Sequence, residues 1–524
     1  MISWLQNFLR DKRGNVATLF ALAIIPMVGA TGMAIDYARV AAVRIKLADA
    51  LDAGVLAVGT QPKMTDAKAT AMVDGWLAVH MGIDPYQLDS VTQDGDAVLG
   101  KAHAVVPMTL SQVLGVKQMT VTATSQIMRT LGKVEIALVL DNTGSMAGTK
   151  IATLIKAANQ LVDSLSVAAD NPNNLRIGLV PFSQTVNVGA TYQSADWIDA
   201  AGNSASAKSL FLGQKVNRFD LFKKLGTKWS GCVETRAAPY ELTESYDKTK
   251  SDTLYVPYFA PDEPGGKNDW NPPYNNSYLD DSSTATIKAA LGNINIPNAD
   301  LWKYQQGDVT KYNAGNPKTG DTGFGSYQYG PNSGCDIAPL QRLTSDTKAV
   351  KKAINAMIAQ GNTDIPIGLE WGWNVLSPKG PFKDGKDYND GEWQKVIVLM
   401  TDGNNENNEG NAKDESYYAG AGYIWQGRMG ATSADKPKRT QLRDDALATL
   451  CKNVKAAGKA SPSDPSPDNV TIYTIRVEVK NGSSSVLKNC ASDPDKFFDV
   501  QNVNQLVSVF QEIGGSIQKL RIAM

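Results

Sequence analysis

The stretch LVLDNTGSMAGTK, residues 138–150, takes an apolar run directly into short oxygen-bearing side chains. Asp141, Thr143 and Ser145 follow the run at every second position, and Gly144 separates the two hydroxyls. The run begins earlier, as VEIALVL at 134–140, and such a continuous apolar stretch is typical of a parallel strand buried on both faces. The sequence therefore predicts a buried strand that ends in a cluster of cation-binding side chains.

Helices and strands alternate along the rest of this region. The chain after the first strand predicts a helix (KIATLIKAANQLVDSL), a strand (LRIGLVPF), a helix that Gly361 is placed to end (TSDTKAVKKAINAMIAQG) and another helix (DIPIGLEWGWNVL). A strand (KVIVLM), a helix (QLRDDALATLCKNVKAAG), a strand (NVTIYTIRV) and a final helix (VNQLVSVFQEIGGSIQKL) follow. Strands that alternate with helices predict an α/β fold with a doubly wound, mostly parallel sheet.

Two irregular stretches interrupt this pattern, at about 184–340 and 403–439. The first is dense in Asn, Gly, Pro, Asp and Tyr, and a structureless loop of that length is implausible in a compact domain. We therefore expect it to fold as an insertion whose aromatic residues form a small core of its own. Binding of a glycan by these aromatic residues is the alternative. The tryptophans of this insertion are Trp197, Trp229, Trp270 and Trp302.

The N-terminal segment combines a basic start with an apolar stretch. Arg10, Lys12 and Arg13 precede residues 16–35, which carry no charge and are long enough to cross a bilayer as a helix. The helical pattern continues to about Gly59, which favours an uncleaved anchor over the alternative, a cleaved signal peptide. The basic residues favour a cytoplasmic N-terminus. We expect three domains: the anchor with its continuing helix (1–60), a small α+β unit (61–130) and the α/β domain with its insertions (131–524).

Composition argues against several classes of function. The formal net charge of -1, without a long basic patch, gives no electrostatic basis for binding nucleic acid. His80 and His103 are the only histidines, so a Ser-His-Asp catalytic site or a histidine-rich metal site is not expected. The sequence also lacks a phosphate-binding P-loop. We therefore expect that the protein is not an enzyme.

All four cysteines lie beyond the apolar segment, and none is part of a CxxC pair. An even number of widely spaced cysteines in an exported chain predicts two disulfides, with four unpaired buried thiols as the alternative. Cys232 and Cys335 bracket the later part of the first insertion. Cys451 and Cys490 lie on predicted helices on either side of the strand NVTIYTIRV. We therefore predict the pairs Cys232–Cys335 and Cys451–Cys490.

A second strand ends in the same chemistry as the first. VIVLM leads into Thr401, Asp402 and Gly403, and GNTDIPIG places Thr363 on a turn that opens a helix. Ligands of open parallel sheets bind beyond the carboxyl ends of the strands, so these side chains are expected to converge. Carboxylates and hydroxyls without Cys or His select a hard cation, Mg²⁺ above all, with Mn²⁺ and Ca²⁺ as alternatives. The predicted ligands, here called the oxygen cluster, are Asp141, Thr143, Ser145, Thr363 and Asp402. Three other acids nearby are expected to face solvent: Asp364, Glu370 and Glu406.

The oxygen cluster resembles the metal-ion-dependent adhesion site of the von Willebrand factor A family. That family's pattern is Asp-x-Ser-x-Ser, a distant Thr and a later Asp-Gly, and here Thr143 stands where Ser is commoner but keeps the hydroxyl. The resemblance implies that the three hydroxyls ligate a divalent ion and that both carboxylates act directly or through water. It also implies that a partner's carboxylate completes the shell. A vestigial site in the same fold is the alternative.

The whole chain resembles the TadG-like proteins of tight-adherence (Flp) pilus assembly. The likeness lies in the order of anchor, small domain and adhesion-site domain, and in the motifs GLEWGWNVLSP and LKNCASDPDKFFDV. It implies a single-pass protein of the bacterial inner membrane whose main domain faces the periplasm and binds a protein of the pilus or secretion apparatus. A surface adhesin that binds host, matrix or glycan ligands is the alternative, and formation of homo-oligomers stays open.

Overall fold

The computed structural model describes residues 15–59, 61, 64–94, 97–128, 133–169, 171–267, 276–313, 317–320, 328–406, 417–461, 468–479 and 484–520. The chain forms two compact units, one from residues 1–131 with 522–524 and the other from residues 132–521.

The first unit packs two helices on a three-stranded antiparallel sheet. Its elements are α1 (Asn15–Gly59), α2 (Asp66–Met81), β1 (Gln87–Asp94), β2 (Ala97–Pro107) and β3 (Gln118–Met128). β2 lies in the middle and pairs with both neighbours. Gly100 of β2 permits close packing, because a Cβ there would lie 2.5 Å from Val55 Cγ2 of α1. The later part of α1 contributes apolar side chains at helical spacing to the core of this unit, including Val40, Val43, Leu47, Leu51, Val55 and Val58.

α1 includes the segment that the sequence predicts to cross a membrane. Some side chains of that segment, residues 16–35, lie outside the described part of the structure. Among the helices that are described, none is long and apolar enough to span a bilayer. Directly after the segment, Asp36 accepts hydrogen bonds of 2.7–3.2 Å from the backbone N–H groups of Ser111, Thr109 and Leu110. These bonds, that of Ser111 above all, lower the pKa of Asp36 to about 2.

The second unit is built on a six-stranded sheet. Its strands are β4 (Lys133–Asp141), β5 (Leu175–Phe182), β8 (Gln341–Thr344), β9 (Trp393–Thr401), β10 (Val470–Val477) and β11 (Phe497–Val500), and β6 (Val186–Asn187) and β7 (Cys232–Val233) form a separate ribbon. The sheet order is β11-β10-β9-β4-β5-β8, and every neighbouring pair is parallel except β5 and β8. This order confirms the predicted α/β fold with a mostly parallel sheet. The helices are α3 (Thr149–Ala168), α4 (Ala205–Leu210), α5 (Arg218–Lys224), α6 (Thr284–Ala290), α7 (Leu301–Gln306), α8 (Thr347–Asn355), α9 (Ile365–Leu376), α10 (Lys436–Lys455), α11 (Ser484–Cys490) and α12 (Leu506–Leu520).

Helices cover both faces of this sheet. One face packs against α3, α8 and α12, and the other packs against α9, α10 and α11. In β4, Ile136 and Leu138 belong to the first of these cores, whereas Ala137 and Val139 belong to the second. Successive side chains of a strand point to opposite faces, so a strand that is apolar throughout must be covered twice.

The first insertion folds onto the sheet rather than around a core of its own. Trp197 and Trp229 are buried, and the ring of Trp197 packs edge-on against Trp371 of α9, with centroids 5.8 Å apart. The expectation of a separate small core is therefore wrong, because insertion and sheet share one core. Trp302 is also buried, and Trp270 lies outside the described residues.

The cysteines form two disulfides. Cys232 of β7 is bonded to Cys335, 103 residues further along the chain, and Cys451 of α10 is bonded to Cys490 of α11. These are the pairs that the positions of the cysteines predict. The first bridge closes the later part of the insertion, and the second joins the helices that follow the neighbouring strands β9 and β10.

One helix ends earlier than its sequence suggests. α8 ends at Asn355, well before Gly361. The segment after the helix is hydrogen-bonded to the end of β4 instead: Asn142 Nδ2 donates to Ile358 O (3.0 Å), and Gln360 N donates to Asn142 O (2.6 Å). The backbone groups of this segment are satisfied by the strand end, so the chain leaves the helix to meet it.

Candidate metal centre

The carboxyl ends of β4 and β9 meet where the strand order reverses. From β4 the sheet continues outward to β5 and β8, and from β9 it continues the other way to β10 and β11. The loops on the two sides of such a switch point part and leave a crevice, the usual ligand site of open α/β sheets. Asp141 is the last residue of β4, and Asp402 directly follows β9, so both carboxylates lie at this crevice.

Asp141 is fully buried and held by two hydrogen bonds. Its Oδ1 accepts from the backbone N–H of Thr143 (2.8 Å), and its Oδ2 accepts from Thr401 Oγ1 (2.6 Å). The first bond is local: an aspartate side chain that binds the N–H two residues ahead turns the chain as it leaves the strand. The second bond joins β4 to β9. The turn after β4 and the neighbouring strand β9 together fix the position of the Asp141 carboxylate.

Thr143, Ser145 and Asp402 form a continuous chain of polar contacts. Thr143 Oγ1 and Ser145 Oγ are 3.0 Å apart, and Ser145 Oγ donates to Asp402 Oδ1 over 2.6 Å. A short 3₁₀ turn, Gly144–Met146, carries Ser145 to the same side as Thr143. Thr143 and Asp402 are buried whereas Ser145 is exposed, so the chain is open to solvent at the serine.

Thr363 reaches the same place on the loop before α9. Gly144 N donates to Gly361 O (2.9 Å) and Glu406 N donates to Thr363 O (2.8 Å), so this loop is bound to the segments that follow both β4 and β9. The Thr363 hydroxyl lies beside Gly403, where an added Cβ would be 3.4 Å from Thr363 Oγ1. The Thr363 hydroxyl therefore lies next to the residue that directly follows Asp402.

The two carboxylates bring negative charges together at the crevice, which is electrostatically unfavourable. Burial, and then the negative charge of Asp402, raise the pKa of Asp141. A positive charge comes from Lys150 in the first turn of α3, whose Nζ lies 2.6 Å from Asp402 Oδ2. The same ammonium group is 3.8 Å from a carboxylate oxygen of Glu478, directly after β10. Sequence reasoning missed both Lys150 and Glu478, because neither belongs to a recognisable pattern.

The expectation that the neighbouring acids face solvent is wrong for two of them. Asp364 is buried and accepts a hydrogen bond of 2.6 Å from Arg443 Nη2. Glu370 is buried in the middle of α9 and pairs with Arg236 at 3.2 Å. Glu406 is half-buried. A glutamate within the apolar stretch IPIGLEWGW can be buried only with a partner, and the arginine that provides it lies in the distant insertion.

Asn405 links the loop of Thr363 to α10. Its Oδ1 accepts from the backbone N–H of Ile365 (2.9 Å), at the start of α9, and its Nδ2 donates to Asp444 Oδ1 (2.7 Å). Asn405 is fully buried, so both bonds are made away from water. Asn405 therefore positions the Thr363 loop without belonging to the oxygen cluster, and the sequence offers no signal for this role.

The donor set fits a hard divalent cation. The oxygen cluster offers two carboxylates and three hydroxyls, and oxygen ligands of this kind suit Mg²⁺. Gly403 carries no side chain, so nothing from this residue is interposed at the Thr363 hydroxyl, where a Cβ would lie 3.4 Å away. Within the described residues, His, Cys, Asp and Glu side chains do not gather in threes that could hold a metal ion.

Comparison with known families identifies two parts of the chain. Residues 14–61 match the Flp pilus-assembly TadE/G-like family, and residues 135–209 match the von Willebrand factor type A domain. The chain is a TadG-like protein with a von Willebrand factor A domain. The second match contains Asp141, Thr143 and Ser145 of the oxygen cluster. No curated protein matches the TadG-like chain.

Several solved structures are similar at low identity. The von Willebrand factor domain of the type V pili tip protein Mfa5 from Porphyromonas gingivalis is 11% identical, with 75% of this chain and 96% of that one covered and a TM-score of 0.32. The PilB minor pilin from Streptococcus sanguinis is 11% identical, with 83% and 79% covered and a TM-score of 0.32. The pilus adhesin SpaC from Lactobacillus rhamnosus GG is 12% identical, with 84% and 35% covered and a TM-score of 0.30. The TadG-like chain thus spans about a third of the length of SpaC.

Proposed function

We propose that this TadG-like protein is a membrane-anchored, periplasm-facing component of tight-adherence pilus assembly or secretion that binds a protein partner through a metal ion. The observation that carries the proposal is the hydrogen bond between Ser145 and Asp402, residues 257 apart in sequence whose side chains meet at the switch point of the sheet. The other predicted oxygen donors lie around this bond, in a chain whose N-terminal segment is TadE/G-like.

The oxygen cluster would hold Mg²⁺, with Mn²⁺ and Ca²⁺ as alternatives. Asp141 and Asp402 would supply the negative charge, and the three hydroxyls would supply neutral oxygens. Von Willebrand factor A domains often bind a metal at such a site, which supports the assignment. Once bound, the ion would offer its remaining positive charge to a carboxylate of the partner. The exposure of Ser145 leaves the cluster open on the side from which that carboxylate would approach.

The N-terminal part of α1 is proposed as the membrane anchor. Large apolar side chains exposed on a helix can mark a membrane-interaction site, and the environment proposed for them here is lipid. Residues 16–35 would cross the inner membrane with the N-terminus in the cytoplasm. The adhesion-site domain would then lie in the periplasm, an oxidising compartment that suits its two disulfides. Large apolar side chains exposed on this part of α1 are Phe20, Leu22, Ile24, Met27, Met33 and Ile35.

The proposed role is binding without catalysis. His80 Nδ1 lies 2.9 Å from Trp76 O, and His103 Nδ1 lies 2.7 Å from Asp89 Oδ1, so both histidines are engaged within the first unit. A net charge of -1 gives no general attraction to nucleic acid. The partner is expected to be another pilus-assembly or secretion protein that presents an acidic side chain.

Recovery of partners from crosslinked membranes tests this function. Tagged full-length protein is purified as wild type, as Asp141→Asn and as Thr143→Ser, each with Mg²⁺ or with EDTA. Wild type and Thr143→Ser should retain the same partner with Mg²⁺ and lose it with EDTA, and Asp141→Asn should not retain it. Equal recovery in all samples would contradict metal-dependent binding. Protease treatment of intact cells distinguishes the proposed function from its alternative, a surface adhesin. Protection of the domain supports a periplasmic location, and digestion supports a surface adhesin.

A further inference from the structure

Lys150 places its ammonium group against the oxygen cluster. Its Nζ donates to Asp402 Oδ2 over 2.6 Å, while Ser145 donates to Asp402 Oδ1 over 2.6 Å. Both oxygens of Asp402 are therefore engaged by donors of this chain. The Asp402 side chain is fully buried and that of Lys150 is 23% exposed, so solvent and salt screen the pair only partly.

The position of Lys150 is unfavourable for a lysine as far as its own helix is concerned. It lies in the first turn of α3, where the helix macrodipole disfavours a positive charge. Glu478 provides a second acid, 3.8 Å from Lys150 Nζ. Glu478 has a φ of 53°, a left-handed conformation that glutamate seldom adopts, and its Oε1 accepts from Val503 N (2.9 Å). An acid in a strained backbone conformation thus lies beside a lysine that its own helix disfavours, and the same lysine is bonded to Asp402.

We propose that Lys150 is the internal counter-cation of Asp402, that a divalent cation must displace it to load the oxygen cluster, and that Glu478 receives the displaced ammonium group. The inference rests on the proposed function, because it concerns ion loading of the same cluster. Lys150 and the ion compete for Asp402 Oδ2, so the lysine lowers the affinity of the cluster for the ion. Without the ion, the lysine balances the negative charge of a buried carboxylate whose other oxygen accepts from the neutral Ser145 hydroxyl.

A purely structural ion pair leads to the opposite expectation. If Lys150 only held the start of α3 against the end of β9, its removal would loosen the ends of both elements. The affinity for Mg²⁺ would then fall or stay the same. The sign of the change in ion affinity therefore separates competition from simple support.

Calorimetric titration of the purified full-length chain with Mg²⁺ measures that sign. Lys150→Met keeps the apolar stem of the side chain and removes its charge. The variant should bind Mg²⁺ roughly tenfold more tightly, because a tenfold change in affinity corresponds to the free energy of about one charge-assisted hydrogen bond. Lys156→Met is the matched control, because Lys156 is an exposed lysine on the same helix. It should bind like wild type. Equal or weaker binding by Lys150→Met would overturn the proposal.

The role of Glu478 is tested by a second substitution. Glu478→Gln removes the negative charge that would receive the displaced ammonium group but keeps a side-chain oxygen. It should therefore weaken Mg²⁺ binding by roughly threefold, as expected for the loss of a partly exposed ion pair. In the Lys150→Met background the same substitution should have no effect, because no ammonium group is left to displace. An equal effect in both backgrounds would show that Glu478 acts independently of Lys150 and would overturn this half of the proposal.

Failure of the inference and failure of the proposed function give different results. If wild type binds Mg²⁺ and Lys150→Met does not bind it more tightly, the competition is wrong and the metal site stands. If only Lys150→Met binds, the competition is correct and the wild-type metal site fails. If neither binds, both are wrong. Thermal unfolding of the two proteins in EDTA reports whether Lys150→Met is folded, so that a lost signal is not mistaken for lost affinity.

Discussion

The hydroxyl of Thr401 donates a hydrogen bond of 2.6 Å to Asp141, and this bond joins the carboxyl ends of β4 and β9. Both residues are fully buried, and a hydrogen bond away from water is electrostatically stronger than one in solvent. The residue after Thr401 is Asp402, which the bond helps to hold beside Ser145. The sheet itself thus positions the two carboxylates of the oxygen cluster.

The role of the Thr143 hydroxyl in ion binding can be tested separately from the volume of the side chain. Thr143→Val keeps the volume of this buried side chain but removes the oxygen that lies 3.0 Å from Ser145 Oγ. We expect Mg²⁺ affinity to fall by about 10- to 100-fold, as is typical of lost contacts at metal sites. Thr143→Ser keeps the hydroxyl and should bind like wild type in the same calorimetric titration. Similar affinities for the valine and serine variants would exclude Thr143 from the site.

Asn405 is expected to matter for both stability and ion binding. Asn405→Leu removes two buried hydrogen bonds and leaves Ile365 N–H and Asp444 without these partners. The free energy of unfolding should fall by about 2–4 kcal/mol, since each unsatisfied buried group costs about 1–3 kcal/mol. Mg²⁺ affinity should also fall, because the loop that carries Thr363 is released from α10. Denaturant unfolding and calorimetry measure the two effects.

The control for Asn405 is a similar side chain at the surface. Asn355, at the end of α8, accepts a hydrogen bond of 2.8 Å from Asn159, and this contact is exposed to solvent. Asn355→Leu should therefore change the free energy of unfolding by less than about 0.5 kcal/mol. If Asn405→Leu behaves in the same way, Asn405 does not position the loop.

The sheet and the oxygen cluster could be predicted because their signals are local in sequence. The runs VEIALVL and VIVLM are apolar throughout, as doubly covered parallel strands are, and the polar residues directly follow them. The carboxyl ends of parallel strands lie at one edge of a sheet, so the meeting of Asp141 and Asp402 follows from strand type alone. Thr363 could be added because its turn precedes a recognisable helix.

The supporting residues could not be predicted because their partners are distant in sequence. Lys150 and Asp402 are 252 residues apart, and either is an ordinary surface residue until the sheet brings them together. The sequence does not predict the burial of Glu370 for the same reason, since its partner Arg236 comes from an insertion without periodicity. β8 has only four residues, too few for a period to show. Such features depend on tertiary contacts, and a pattern in a short window does not contain them.

The bridge between α10 and α11 should contribute strongly to stability. Cys451 and Cys490 are 39 residues apart in sequence, and closing a loop of this length restricts the unfolded chain. Cys451→Ala with Cys490→Ala should lower the free energy of unfolding by about 4 kcal/mol on the chain-entropy model. Urea unfolding under non-reducing conditions checks this, with the bridge Cys232–Cys335 intact in both proteins. A loss below about 1 kcal/mol would mean that packing alone holds the two helices together.

Glu370 should make stability depend on pH near neutrality. Burial raises the pKa of this carboxyl to about 7 from its ordinary value of 4.5, although Arg236 and the hydroxyl of Tyr255 oppose the shift. Because the folded protein holds this proton more tightly than the unfolded chain does, the proton favours folding. Its contribution is fully present below about pH 4.5 and is lost as the pH rises through about 7.

The Glu370 variant that tests this dependence is Glu370→Gln, which keeps a side-chain acceptor of the same shape but cannot ionise. Between about pH 5 and pH 7.5 the free energy of unfolding of wild type should fall more steeply with pH than that of Glu370→Gln. Urea unfolding at several pH values across this window measures both slopes. Glu392→Gln makes the same chemical change at an exposed side chain and should unfold like wild type at each pH. Parallel pH profiles for wild type and Glu370→Gln would mean that Arg236 keeps Glu370 ionised throughout, and the buried pair would then be an ion pair over the whole range.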